Sequence, residues 1–289
     1  MFCPYDLHSH STASDGTVAP AELVRLAHRM GVQVLALTDH DTTAGVAEAA
    51  RAAEKLSIRL LAGVEISVSW GAQTVHVVGL KVDPANPVLQ AGLQSLRDFR
   101  SWRAEEIGRR LEKSGVPDAY QGALAFSNGV LVSRTHFARM LVERGIVVDE
   151  RKVFKHYLVR GKPGYVAGEW ASLKSVIEWI HGAGGQAVVA HPARYKMTRT
   201  KLRRLFTEFR ELGGDAIEVV SGSHSRDDYR VMAKHCNDFA LLASAGSDFH
   251  ALENPWIALG RLPRLPADCR PIWSDWPMPG TRSLVRKAG

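Results

Sequence analysis

Cysteine is scarce in this 289-residue chain, with only Cys3, Cys236 and Cys269. An odd number without paired spacing builds neither a disulfide framework nor a zinc ribbon. No apolar run is long enough to cross a bilayer; the longest are strand-length and broken by polar residues. The first residues, Met1-Phe2-Cys3-Pro4-Tyr5-Asp6, lack both the basic and the apolar region of a secretory signal. There is no Gly-x-Ser-x-Gly elbow and no Walker loop, so those nucleophilic and phosphate-cradling chemistries are excluded. Internal repeats and low-complexity segments are absent too. A soluble, cytoplasmic protein without membrane association is expected, and nothing points to an obligate protein partner.

Acid is locally scarce. Lys and Arg total 37 against 30 Asp and Glu, a formal charge of +7. Arg194, Lys196, Arg199, Lys201, Arg203, Arg204 and Arg210 crowd one segment in which Glu208 is the only acid. Such a run usually reads as a solvated helix face. Beside a phosphate site it would become a steering rim for anions.

What is present is a globular composition, with 45% hydrophobic and 23% charged residues. Short β-rich runs alternate with helical stretches, which predicts βα units around a parallel sheet. Strands are expected over residues 5–10, 32–38, 58–66, 74–82, 186–190, 215–220 and 241–245. Pro20 opens a helix whose Leu23, Leu26, Ala27 and Met30 share a face before Gly31 stops it. An Ala-rich helix follows through Val46, Ala50, Ala53 and Leu56. Seven strands in this rhythm imply an α/β fold with a closed or nearly closed barrel. Residues 86–168 break the rhythm, with helical signals over 87–113, 134–144 and 149–158. They read as a helical insertion capping a barrel made of residues 1–85 and 169–289. Beyond Pro263 the chain should wrap the barrel irregularly, with Trp273 and Trp276 as packing anchors.

The 12 histidines supply the functional signal. His28, His156, His181 and His235 read as ordinary polar or core residues. In contrast, His8 and His10 close the first predicted strand, His40 the second, and Glu65 the third. His76 lies in the fourth, His191 ends the next, and Asp248 and His250 end the last. The C-terminal ends of parallel barrel strands meet at one face, so these residues should converge. Burying so many ionisable groups together without a metal would be prohibitive. With no cysteine among them, Mn²⁺, Fe²⁺ or Zn²⁺ fits the donors.

His8-Ser9-His10-Ser11, Asp15-Gly16, Thr38-Asp39-His40-Asp41, Gly63-Val64-Glu65-Ile66-Ser67, His191-Pro192 and Ser247-Asp248-Phe249-His250 stand in order along the chain. They resemble the PHP (polymerase and histidinol phosphatase) family of metal-dependent phosphoesterases. Within it the chain looks like the branch of nucleoside 3′,5′-bisphosphate phosphatases and 5′-to-3′ exoribonucleases. The resemblance implies a distorted seven-stranded β/α barrel with a helical insertion and up to three divalent ions, Mn²⁺ foremost, with Zn²⁺, Fe²⁺ or Mg²⁺ as alternatives. It implies one ion on His8, His10, Glu65 and Asp248, a second on Glu65, His76 and His191, and a third on Asp15, His40 and His250. A hydroxide bridging the ions, not a side chain, would then attack phosphorus.

Ser133-Arg134-Thr135-His136 opens a predicted helix, with Ser133 as N-cap and amides able to meet an anion. Alone it reads as helix capping; in a cap above a phosphoesterase site it becomes a candidate pocket for a second phosphate. Lys162 and Arg194 could complete that pocket, and His224 is either a substrate contact or a polar rim residue. The expected activity is hydrolysis of the 3′-phosphate of nucleoside 3′,5′-bisphosphates to the 5′-monophosphate. Trimming of short 5′-phosphorylated RNA, a histidinol-phosphate-type phosphatase and a non-catalytic accessory module are the alternatives.

Overall fold

The computed structural model describes residues 2–127, 129, 131–252 and 259–276. The first half follows the expected rhythm: β1 (Tyr5–Asp6), α1 (Pro20–Arg29), β2 (Val34–Leu37), α2 (Val46–Ala53), β3 (Arg59–Trp70) and β4 (Gln73–Leu80). Four helices come next, α3 (Pro87–Lys113), α4 (Ala119–Leu124), α5 (Arg134–Glu143) and α6 (Glu150–Val153), and a π-helical turn over Phe154–Leu158. The chain returns through β5 (Ala171–Ser172), α7 (Leu173–Gly182), β6 (Gln186–Val189), α8 (Arg199–Glu211), β7 (Ala216–Ser221), α9 (Arg226–Asp238) and β8 (Leu242–Gly246). No helix among the described residues is long and apolar enough to cross a membrane.

The sheet runs β1-β2-β3-β4-β6-β7-β8, with β5 paired to β3 off this path. Leu7 N donates to Ala245 O and Asp248 N to His8 O, which brings the two edges together into a seven-stranded barrel. The expected all-parallel sheet needs one correction. β4 runs antiparallel to both β3 and β6, because β3 continues to Trp70 and turns back at once through Gly71, whose φ is +56°. Glu65 therefore sits inside β3 and not at its end. His76 lies in the first half of a strand that starts, instead of finishing, at the barrel mouth. β1 is also shorter than residues 5–10: beyond Asp6 the ladder gives way to the isolated Ser9–Phe249 bridge and a bond from Thr38 N to Ser9 O.

Leu7, Ala36, Leu61, Val78, Val188 and Ala190 fill the barrel interior together with Ile272 and Trp276 from the C-terminal stretch. That stretch closes the end opposite the mouth: Trp273 stacks on Tyr5 at 4.3 Å, and Trp276 Nε1 donates to Gln186 Oε1. α3 joins two cores. Leu89, Leu93 and Leu96 pack with the barrel, whereas Ala104, Ile107 and Leu111 pack with Phe137, Met140 and Leu158 of the later helices. With 27 residues, α3 spans about 40 Å, so it holds the later helices beside the barrel mouth.

Candidate active site

Candidate ligands reach the mouth from six places. His8 and His10 follow β1, His40 follows β2, Glu65 and His76 face inward across the β3–β4 pair, His191 follows β6, and Asp248 and His250 follow β8. Asp15 comes from the loop before α1. Two of these positions, His191 and Asp248, have positive φ of 31° and 57°, as does Asp41 beside His40 at 51°. Non-glycine residues with positive φ cost free energy and persist where the surroundings enforce them, often at functional sites. A Cβ on Gly246 would sit 2.2 Å from His8 Cβ, so only glycine lets β8 approach the first histidine this closely.

Glu65 is the hub. Its Oε1 is 2.8 Å from His76 Nδ1 and 3.0 Å from His191 Nε2. Its Oε2 is 2.9 Å from His40 Nδ1, 3.2 Å from His10 Nε2 and 3.3 Å from His8 Nε2. Asp248 Oδ1 lies 3.3 Å from His10 Nε2 and 3.6 Å from His8 Nε2. Asp15 Oδ1 lies 3.3 Å from His250 Nε2 and 3.9 Å from His40 Nε2. Burial would raise the carboxyl pKa of Glu65, Asp15 and Asp248, but the surrounding imidazoles hold all three well below the usual range. Burial would likewise depress His8, yet Glu218, Glu65 and Asp248 push it well above the ordinary value. His40 has less compensation, and burial takes it down to about 4.

These residues form three groups whose ligand atoms lie within 4.8 Å of one another: His8, His10, Glu65 and Asp248; His10, Asp15, His40 and His250; and His40, Glu65 and His76. Ligands about 2.1 Å from a shared ion stand roughly 3.0–3.4 Å apart, and the separations here scatter around that range, from 2.8 to 3.9 Å. Glu65 Oε2, Asp15 Oδ1 and His40 Nδ1 are buried and lack a hydrogen-bond partner despite their close neighbours. Lone pairs that converge on a point without forming aligned hydrogen bonds suit a cation at that point. The donors are all nitrogen and oxygen, so the set fits divalent ions.

Beside this cluster the cavity, about 370 Å³, is lined by Arg100, Arg103 and Arg134, with Ser133, Thr135, Tyr165 and Trp170 among their neighbours. Arg100 Nε donates to Asp41 Oδ2 at 2.6 Å, and its other end donates to Ser67 Oγ. Arg103 donates to Val166 O, and both guanidiniums lie over the Trp170 ring. Burial, then the charges of Arg134 and Arg100, push Arg103 down to about 9. Arg134 is lowered too, by burial and then by the charge of Arg100, so this buried positive charge suits an anion.

Of the six expected substrate contacts, Ser133, Arg134 and Arg194 line the cavity. Arg194 also pairs with Asp248 at 2.6 Å. His136 lies underneath, where its Nδ1 accepts the Ser133 amide in a capping box. The Thr135 amide is likewise taken by Ser133 Oγ, so the helix start offers fewer amides to an anion than its sequence implies. Lys162 is exposed and outside the cavity lining. His224 faces inward, donating from Nδ1 to Val219 O and accepting the Ala193 amide at Nε2. In the basic run, Arg203 pairs with Asp238 and Arg204 lies over Trp70, so these two serve packing on the barrel's flank.

Arg100, Arg103, Tyr195 and Glu218 escape the sequence reading. Tyr195 OH accepts from the His76 amide and donates to Ala190 O. Glu218 had a visible signal, as the one charge in the otherwise apolar run Ala216-Ile217-Glu218-Val219-Val220. Arg100 and Arg103 had none, because basic residues three apart on a helix look like a solvated face.

The chain shares its architecture and length with known proteins. The profile of the PHP domain matches residues 6–185. A 3′,5′-nucleoside bisphosphate phosphatase of Chromobacterium violaceum is 51% identical over 271 residues, 93% of this chain and 95% of that protein. A 5′-3′ exoribonuclease of Haemophilus influenzae is 46% identical, covering 94% and 98%. A solved amidohydrolase from Chromobacterium violaceum, with bound sulfate and no metal, superposes with a TM-score of 0.90 at 51% identity, covering 94% of this chain and 95% of its own. With the His/Asp/Glu cluster gathered at the mouth of the barrel, the chain belongs to the PHP domain family.

Proposed function

We propose that the protein is a metal-dependent phosphoesterase that removes the 3′-phosphate of nucleoside 3′,5′-bisphosphates, leaving the 5′-monophosphate. The carrying observation is the pairing of the His/Asp/Glu cluster with a separate pocket of three arginines in one cavity. One phosphate lies on the cluster and the other between Arg100, Arg103 and Arg134. His8, His10, Glu65 and Asp248 would hold one ion, Glu65, His76 and His191 a second, and Asp15, His40 and His250 a third. His40 also approaches Glu65 and His76, so it could serve either of the latter two. When bound, the ions, with Mn²⁺ the first choice, supply positive charge to the phosphoryl oxygens and activate water.

The chain's own residues orient and hold. The hydroxyls lining the cavity are engaged: Ser133 and Thr135 donate to Asp15 Oδ2, Ser67 accepts from Arg100, and Thr74 accepts from Trp170. The one base at these four hydroxyls is Asp15, itself a candidate metal ligand, which supports water as the nucleophile. Residues 86–168 act as a cap that carries the arginine pocket, and the barrel of residues 1–85 and 169–289 carries the cluster. Binding energy from the remote phosphate orients the reacting one, so substrates lacking it lose kcat/KM.

The exoribonuclease named among the relatives gives the second reading. A terminal 5′-phosphate would use the same arginine pocket. The experiment compares adenosine 3′,5′-bisphosphate, the 3′-monophosphate, the 5′-monophosphate and a 5′-phosphorylated oligonucleotide in one Mn²⁺ buffer. The bisphosphate should have the highest kcat/KM. Equal cleavage of the 3′-monophosphate would remove the specificity role of the arginine pocket, and a large lead for the oligonucleotide would establish the second reading.

A further inference from the structure

Glu218 is buried on β7, outside the three ligand groups, and both its oxygens are occupied. Oε1 lies 2.6 Å from His8 Nδ1, and Oε2 accepts the backbone amide of His191 at 2.7 Å. In the three-ion reading these partners serve two different ions, and they come from opposite sides of β7 in the barrel. The backbone around Glu218 is specialised, because the β7–β8 register shifts between Glu218 and Val220. Bulges of this kind re-aim side chains next to functional sites. His224 locks the arrangement by bonding the bulge carbonyl of Val219 and the amide of Ala193, two residues beyond His191.

His8 Nδ1 donates to the carboxylate, which leaves the Nε2 lone pair directed at Glu65, His10 and Asp248. On His191, the same carboxylate fastens the backbone of a residue held at φ 31°. Asp15 and His250 are fastened from elsewhere: Ser133, Thr135 and Arg139 bond Asp15, and His250 Nδ1 donates to the Asp248 carbonyl.

We propose that Glu218 is a positioning residue that governs the loading of the two ions held through His8 and His191, and not of the third held through Asp15, His40 and His250. This inference rests on the three-ion reading above. Its chemistry is asymmetric in a testable way. A carboxylate accepts hydrogen bonds at both oxygens, whereas an amide accepts at only one. Glu218→Gln must therefore lose the His8 tautomer lock or the His191 tether.

The test loads wild type, Glu218→Gln, Asp15→Asn and the double variant with Mn²⁺. Each is equilibrated against a graded chelator series, and bound manganese is counted by elemental mass spectrometry. Loss of such a supporting contact weakens metal binding about 10–100-fold, so Glu218→Gln, which gives up one of its two contacts, should release the ion held through His8 or the one held through His191 at correspondingly weaker chelation. The ion lost early in Asp15→Asn should leave Glu218→Gln with wild-type affinity, and the double variant should lose both of these ions early. Uniform weakening of all ions, unchanged release, or loss only of the ion also lost in Asp15→Asn would overturn the proposal. A wild type that binds no manganese would overturn the metal reading itself. Histidine-selective ¹⁵N NMR on Zn²⁺-loaded wild type needs no variant. His8 should ligate through Nε2 with Nδ1 protonated, and ligation through Nδ1 would refute the lock.

Discussion

Removing one arginine should make the protein more stable and its preferred reaction worse. Arg103 is buried, and its pKa is pushed well below the usual guanidinium range to about 9, first by burial and then by Arg134 and Arg100. At about 1.4 kcal/mol per tenfold, its charged form is disfavoured on the order of 5 kcal/mol in the free protein. Arg103→Met removes that charge, keeps an apolar stem against Trp170, and gives up the bonds to Val166 O. Hydrogen bonds from a charged group contribute about 1.5–3 kcal/mol. The metal-free variant should therefore gain on the order of 2 kcal/mol, and melt a few degrees higher by scanning fluorimetry. With substrate the sign reverses, because the second phosphate loses a charge-assisted donor. The expected cost is again about 1.5–3 kcal/mol, or about ten- to a hundredfold in kcat/KM for adenosine 3′,5′-bisphosphate. p-Nitrophenyl phosphate has no second phosphate, and its kcat/KM should stay within about twofold. A lower Tm would refute the repulsion argument. Equal losses on both substrates would place Arg103 in service of the metal cluster or the fold.

Gly246→Ala puts a methyl group against His8 Cβ and His8 N, so overpacking should cost about 1–3 kcal/mol of stability. Manganese content should fall with it; wild-type melting and metal content together would show that β1 can yield. His136 is held down to about 4 from 6.5, chiefly by burial. As pH falls through this window the unfolded chain takes up the proton first, so the wild type should lose on the order of 3 kcal/mol that His136→Asn does not lose. Urea unfolding of the two metal-free proteins at pH 7 and pH 4 checks this, and parallel losses would contradict it.

The sequence alone determined which chemistry is present and much of the scaffold that carries it. Histidines and carboxylates following apolar strand-length runs are a local pattern, legible from spacing because successive parallel strands end at one face. Helix α3 begins at Pro87 with Asn86 accepting the Val88 and Leu89 amides, and α5 begins with the Ser133 cap. Both starts follow from the residues at the position itself. The tertiary structure alone decided the direction of β4, since a hairpin at Gly71 and a crossover leave similar hydrophobic patterns. It alone assembled the arginine pocket too: Arg100 and Arg103 meet Arg134 and Trp170 from distant parts of the chain. Periodicity reports which face of a helix is apolar; it carries no record of which charges the packing of α5 beside α3 will press together away from water. Glu218 lies between these cases. Its burial was readable from the apolar strand around it, but its two partners, His8 and His191, were set only when β1 and β6 were brought to β7.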